Sequence, residues 1–152
     1  MATLYTVLQA TKAALRARLR TMQPNRDTTT GFHCRESAAV GSREIEDAIG
    51  RPRLFELGRS SYNRVTWISS SVRATEVSIP LTINYPDTEE WRDAAMDDFE
   101  KLSESLRDTS LGVTGLQLCV VDMDAGPEFV DAENDDWFSM VINLHAICEA
   151  TG

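Results

Sequence analysis

Three groups of residues in this chain carry donor atoms worth testing against chemistry. The first is His33, Cys34 and Glu36, an imidazole, a thiol and a carboxylate close together. Each can ligate a metal, but structural zinc sites draw on two ligand pairs separated along the chain. No second pair stands at that spacing, so no metal site is expected. The second is the stretch Asp122 to Asp136, with carboxylates at Asp122, Asp124, Glu128, Asp131, Glu133, Asp135 and Asp136. Calcium is the obvious reading, yet a helix–loop–helix calcium loop needs glycine at its sixth place. Counted from Asp122, Gly126 falls fifth, Ala125 stands where a ligand belongs, and Glu128 comes too early to close the site. A solvated hairpin loop is expected instead. Nothing in the sequence draws two of these carboxylates into a cleft as a general acid/base pair.

The third group is His145 with the thiols Cys34, Cys119 and Cys148. His145 lies inside an apolar run opposite Leu144 and reads as a packed or sheet-surface histidine rather than a base. An odd number of cysteines without CxxC spacing argues against a disulfide framework and fits a reducing compartment. Cys119 and Cys148 sit in apolar runs, where a thiol behaves as a small hydrophobe. No GxSxG or phosphate-cradling glycine loop occurs, and no Cys/His pair stands in a catalytic context. The chain is therefore expected to be no enzyme and to need no cofactor.

The elements that hold these groups are legible from periodicity. Val77, Ile79, Leu81, Ile83 and Tyr85 alternate with polar residues, which puts five apolar side chains on one face of a strand from about Val72 to Tyr85. Pro80 within it donates no amide hydrogen and predicts a sheet edge or a bulge. Pro86 ends the strand, and Asp87 with Glu90 has the form of a capping box. Trp91, Ala95, Phe99, Leu102 and Leu106 then recur at helical spacing, with Asp93, Asp97, Asp98, Glu100 and Glu104 on the other side. That helix should lie with Trp91 and Phe99 on the strand's apolar face. An earlier helix, capped by Thr3 and running to about Met22, places Leu4, Val7, Leu8, Leu15, Leu19 and Met22 on one face and Arg16, Arg18 and Arg20 near its end.

Between these, residues 23–52 show no sustained period and form a long irregular connection, with at most a short helix at Glu44–Ile49. Leu54 and Phe55 read as a short strand within Arg53–Gly58. Ser60–Arg64 reads as a turn or loop, and Val65–Ile68 as the start of another strand. Leu116–Val121 makes a strand after a turn at Asp108–Gly112. Trp137–Cys148 reads as a central strand covered on part of both faces. The fold class expected is α/β in the broad α+β sense. It is one domain over 1–152, with a mixed, mainly antiparallel sheet of about four to five strands flanked by two main helices.

The net charge of −9 hides an asymmetry. Residues 1–59 carry ten Arg/Lys against six Asp/Glu, leaving +4, and residues 60–152 carry five against eighteen, leaving −13. An acidic body argues against general nucleic-acid binding. No apolar run is long enough to span a bilayer, and the N-terminal stretch lacks the apolar core of a signal peptide, so no membrane partner is expected. Opposite charge at two ends of one subunit suits head-to-tail self-association. On that reading Arg16, Arg18, Arg20, Arg51, Arg53 and Arg59 face Asp93, Asp97, Glu100, Glu104, Asp122 and Asp124 of a neighbour.

Taken in order, the helix Leu4–Met22, the segment Arg53–Gly58, the strand Val77–Tyr85 with its Pro-Asp turn into Glu89–Leu106, and the closing pair Leu116–Asp122 and Trp137–Cys148 resemble the tail terminator (tail completion) proteins of long-tailed bacteriophages. The resemblance is one of architecture over most of the chain, and the long Pro24–Gly50 segment departs from it. It implies a virion structural protein, assembled in the host cytoplasm. Such a protein forms a hexameric ring that caps the tail tube and meets the head connector, with the tube and connector proteins as partners. Other neck, head-completion or connector proteins, and a small acidic protein-binding module, are the alternatives.

Overall fold

The computed structural model describes residues 2–26, 31–35, 52–107, 110–131 and 136–151. The short helix expected at Glu44–Ile49, together with Glu36, Arg51, Glu133 and Asp135, lies outside the described residues. Helix α1 spans Leu4–Thr21, and Thr3 caps it by accepting from the Thr6 N–H at 3.3 Å. Val7, Leu8, Leu15 and Leu19 are its buried stripe. Thr11 shares that stripe, with its hydroxyl satisfied by donation to the Val7 carbonyl at 2.7 Å.

Strands β1 (His33–Cys34), β2 (Leu54–Leu57), β3 (Ser61–Trp67) and β4 (Val72–Pro86) precede helix α2 (Glu89–Ser105). Strands β5 (Leu116–Val121), β6 (Glu128–Asp131) and β7 (Trp137–Thr151) follow it. All seven strands join one mixed sheet, in which β1 and β2 are parallel and the other described pairings antiparallel. Its spine is the β4–β7 pair, in register from Val72↔Thr151 to Pro86↔Trp137, about 50 Å long at the usual rise per residue. Two short strands line each outer side of that spine. On β4 they are β2 beside Leu81–Asn84 and β3 beside Arg73–Ser78; on β7 they are β6 beside Phe138–Val141 and β5 beside Leu144–Cys148.

The α+β class expected from the sequence is the class found, but the sheet is larger than four to five strands. The two additions are β1, only two residues long, and β6, whose Glu128, Phe129, Val130 and Asp131 are all exposed inside the acidic stretch. That stretch is therefore not simply a loop. Ser60–Arg64 is likewise not a turn, because β3 starts at Ser61. Helix α2 begins at Glu89 as expected, but its cap is not Asp87. The Asp87 N–H donates to the Asp136 carbonyl at 2.8 Å, which keeps Asp87 tied to the sheet. Thr88 is then the cap, accepting from the Trp91 N–H at 3.2 Å.

Both helices pack on one face of the sheet. Val77, Ile79, Leu81, Ile83 and Tyr85 of β4 and Phe138, Met140, Ile142, Leu144, Ala146 and Cys148 of β7 are wholly buried there with Leu15, Leu19, Ala95, Phe99 and Leu102. The register placing Trp91 and Phe99 over β4 thus holds, with Phe99 buried and Trp91 partly so. On the reverse face of β7, Val141 and Ile147 are half-buried and Asn143 is exposed. β7 is central, but among the described residues only one of its faces carries a helical layer.

Pro80 shows how β2 and β3 share one side of β4. Its carbonyl accepts from the Gly58 N–H at 2.7 Å. In an antiparallel ladder a residue's N–H and C=O point to the same side, so the missing proline N–H faces the seam where β2 has ended and β3 has not begun. A Cβ on Gly58 would stand 2.7 Å from the Pro80 ring. The crossing therefore requires glycine there. Proline in a central strand is tolerated because it interrupts no ladder bond to β7.

Candidate interaction surface

The most chemically loaded cluster lies inside the molecule, at the Tyr85 end of the spine. Arg53 adopts φ 62°, with its N–H bonded to the Asn84 carbonyl at 2.8 Å and its carbonyl accepting from the His33 N–H at 3.0 Å. That backbone turns its side chain inward. Nε and Nη2 donate to the two Asp98 oxygens at 2.7 and 3.2 Å, and Nη2 also donates to the Arg26 carbonyl at 2.7 Å. The Tyr85 hydroxyl donates to Asp98 at 2.8 Å. The guanidinium carbon stands 5.1 Å from the Trp91 ring centre and 5.7 Å from that of Phe32.

Arg53 and Asp98 are both fully buried. Burial pushes the Asp98 carboxyl up, opposed by the Arg53 and Tyr85 bonds it accepts; burial, then the Asp98 charge, pushes the Tyr85 phenol well up. This corrects the expected role of Arg53, which meets Asp98 of its own chain rather than a carboxylate of a neighbour. It also corrects the placing of Asp98 on the polar side of α2. With solvent excluded, the trio clamps β2, β4 and α2 together and offers nothing to a substrate.

The remaining predicted interface residues divide in three. Some are spent within the subunit. Arg18 donates to the Ser105 carbonyl at 3.0 Å, joining the two helices, Arg16 and Arg20 also have partners, and Asp97 pairs with Arg26 at 2.6 Å. Others stand exposed: Arg59 two residues before β3, and Asp93, Glu100 and Glu104 along the outer side of α2. Asp122 and Asp124 form the turn after β5, where Asp122 accepts from the Asp124 and Ala125 N–H groups at 3.1 and 3.2 Å. The structure brings that turn against the end of α2, where the Ser103 hydroxyl meets Met123 sulfur at 3.1 Å. Glu104 and the Asp122–Asp124 turn thus share one acidic region, while the arginines are not gathered into one patch. No group of three or more His, Cys, Asp or Glu suited to hold a metal occurs among the described residues.

Two surface features escaped the sequence reading. The first is an arm. Every residue of β3 is exposed, and Tyr62, Val65, Trp67 and Ile68 are 50–62% exposed. The register of β3 shifts between Tyr62 and Arg64, so Tyr62 pairs with Val77, Val65 with Thr75 and Trp67 with Arg73. Paired residues share a face, and the bulge therefore sets all three on the core-bearing face, beyond the helical layer. Trp67 stacks under the Arg73 guanidinium at 5.4 Å. The outer edge of β3 pairs with no other described strand. The second feature is a groove of about 370 Å³ between α2 and β5, lined by Ser103, Glu104, Arg107, Val120, Val121 and Met123. The arm had a signal, since Tyr-Asn-Arg-Val-Thr-Trp is rich in strand formers. The serines on either side gave it the look of a loop.

No protein-family model matches the chain, and no curated protein sequence matches it.

Proposed function

We propose that this protein is a virion structural subunit, a tail terminator that forms a ring where the tail tube of a long-tailed phage meets the head connector. The reading rests on the architectural resemblance set out above. The observation that carries it furthest is the contrast between a firmly packed body and an exposed, apolar, edge-bearing arm. A long strand edge with exposed apolar side chains is a liability for a protein that stays alone and an asset for one that adds copies of itself. The arm and the acidic end of α2 are different patches on one subunit, and a contact between unlike patches generates rings when the rotation closes. The ring is read as a hexamer, with the tube and connector proteins as its other partners. Among the described residues no helix is long and apolar enough to cross a membrane, and placement in the virion belongs to the proposal.

Mass spectrometry and cryo-electron microscopy of purified virions from the genome encoding this chain provide the test. The expected result is the protein present in low copy, as a single closed ring at the head-proximal end of the tail. Absence of the chain from purified particles would overturn the proposal.

A further inference from the structure

We infer that the β3 arm of one copy seats its Tyr62–Val65–Trp67 face in the groove between α2 and β5 of the next copy. The inference rests on the reading that copies of this chain assemble head to tail. It identifies the contact that joins them.

Three observations converge on this pairing. The first is charge. On the Tyr62–Trp67 face of the arm stands Arg73, with Arg59 just before the strand, whereas Arg64 pairs with Glu76 and points from the other face. At the groove and the turn beside it stand Glu104, Asp122 and Asp124, set against Arg107. The basic strand and the acid-rimmed groove are complementary, and such pairing steers encounter and fixes register. The second is chemistry at the centre. Met123, 59% exposed, presents thioether surface beside the half-buried Val120, and the buried Val121 forms the floor. Methionine sulfur packs well against aromatic rings, and the arm offers an indole and a phenol in an apolar strip. Arg107 at the groove wall can also lie over an aromatic face.

The third observation is placement. At the Val72 end of the spine the strand order is β3–β4–β7–β5, so the arm and the groove lie at opposite edges of the same sheet. One molecule cannot seat its own arm in its own groove across the intervening strands. An arm–groove contact therefore joins two copies through unlike surfaces, which makes it heterologous and repeating.

Cysteine crosslinking tests this. The native thiols Cys34, Cys119 and Cys148 are all buried, whereas Trp67 and Met123 are exposed. Trp67→Cys and Met123→Cys proteins, each checked for unchanged circular dichroism, are mixed at high concentration and oxidised with copper phenanthroline. The expected product is a disulfide dimer holding one copy of each variant. The double variant should give a ladder of oligomers that ends in a closed species. Arg73→Glu on the Trp67→Cys background should slow crosslinking at low salt by about tenfold, and Glu104→Lys on the partner should restore it.

A Trp67→Cys homodimer formed faster than the mixed dimer would overturn the inference in favour of a symmetric arm-to-arm contact. Oligomers seen by light scattering without the mixed crosslink would overturn the arm–groove contact and leave the ring reading standing. If neither oligomers nor mixed crosslinks form, the arm–groove contact is overturned, while presence or absence of the chain in virions still decides the ring reading separately.

Discussion

The two ends of β4 are built from one continuous strand yet serve opposite ends. At its C-terminal end, Leu81, Ile83 and Tyr85 are wholly buried under α2, with the Arg53–Asp98 pair sealed beside them. At its N-terminal end, Val72, Arg73 and Ala74 are half-buried, and Arg73 and Ala74 pair with a β3 that is exposed throughout. The difference is a matter of cover. Both ends have strand partners, but the buried row of β4 begins only at Thr75, and the β3 beside its N-terminal end is exposed throughout. Backbone pairing is thus enough to shape a strand, and only burial beneath a second layer makes it a source of stability. The covered end should decide whether the protein folds, and the uncovered end what it touches.

The largest effect should come from opening the covered end. Asp98→Ala leaves a buried guanidinium without its carboxylate and is expected to cost about 3–5 kcal/mol in a urea titration. Phe99→Ala, which removes a buried ring from the same layer, should also cost about 3–5 kcal/mol. Trp91→Ala should cost less, because that side chain is only partly buried. An unchanged midpoint in Asp98→Ala would mean that the covered end is not where stability resides. Gly58→Ala comes next, at about 1–3 kcal/mol, because its Cβ would press on the Pro80 ring at 2.7 Å.

A loss that is slight just above pH 9 and grows with pH is expected in alkali. Burial, with a minor contribution from Cys148, pushes the Cys119 thiol up to about 12, and burial pushes Cys148 up to about 11, from 9.0. Above pH 9 the unfolded chain loses protons that the folded chain keeps, so the unfolded state gains. Stability should be full below pH 9 and fall as pH rises towards 11 and 12, by at most about 1.4 kcal/mol per pH unit for each thiol. Tyr85, raised in the same direction, extends the decline beyond the ordinary phenol range. Melting temperatures from pH 7 to 10.5 check the sign, and a rise with pH would contradict it.

At the uncovered end, stability should barely respond. Trp67→Ala or Tyr62→Ser is expected to move the unfolding free energy by no more than about 0.5 kcal/mol. Excess calcium or magnesium should leave the melting temperature unchanged. A rise of several degrees that disappears in Asp122→Asn/Asp124→Asn would restore an ion site in that turn.

The same division sets how much could be read from the sequence. The covered end was legible because burial on one face writes itself as alternation, as in Val77 to Tyr85, or as helical spacing, as in Ala95, Phe99 and Leu102. Asp98 was misplaced because charge was taken as exposure. Yet it falls four residues before Leu102 and seven after Trp91, on the apolar stripe, and an arginine that must turn inward at positive φ was available to meet it. The uncovered end wrote no such pattern. β3 is exposed on both faces, so its composition follows no alternation. Its bulge breaks what periodicity remains, and β6 is a strand only because β7 has an open side to offer it. The groove joins α2 to the turn after β5, residues far apart in sequence, and no local spacing encodes that meeting.

Amide hydrogen exchange, followed from dilute protein to assembled protein, measures both ends at once. Dilute protein should exchange rapidly in Ser61–Trp67 and slowly in Leu81–Tyr85 and Phe138–Leu144. On assembly, protection should rise together in Ser61–Trp67 and in Val120–Asp124, with the covered end unchanged. Assembly that leaves Ser61–Trp67 exchanging as fast as before, with new protection elsewhere, would contradict the division of labour between the two ends of β4.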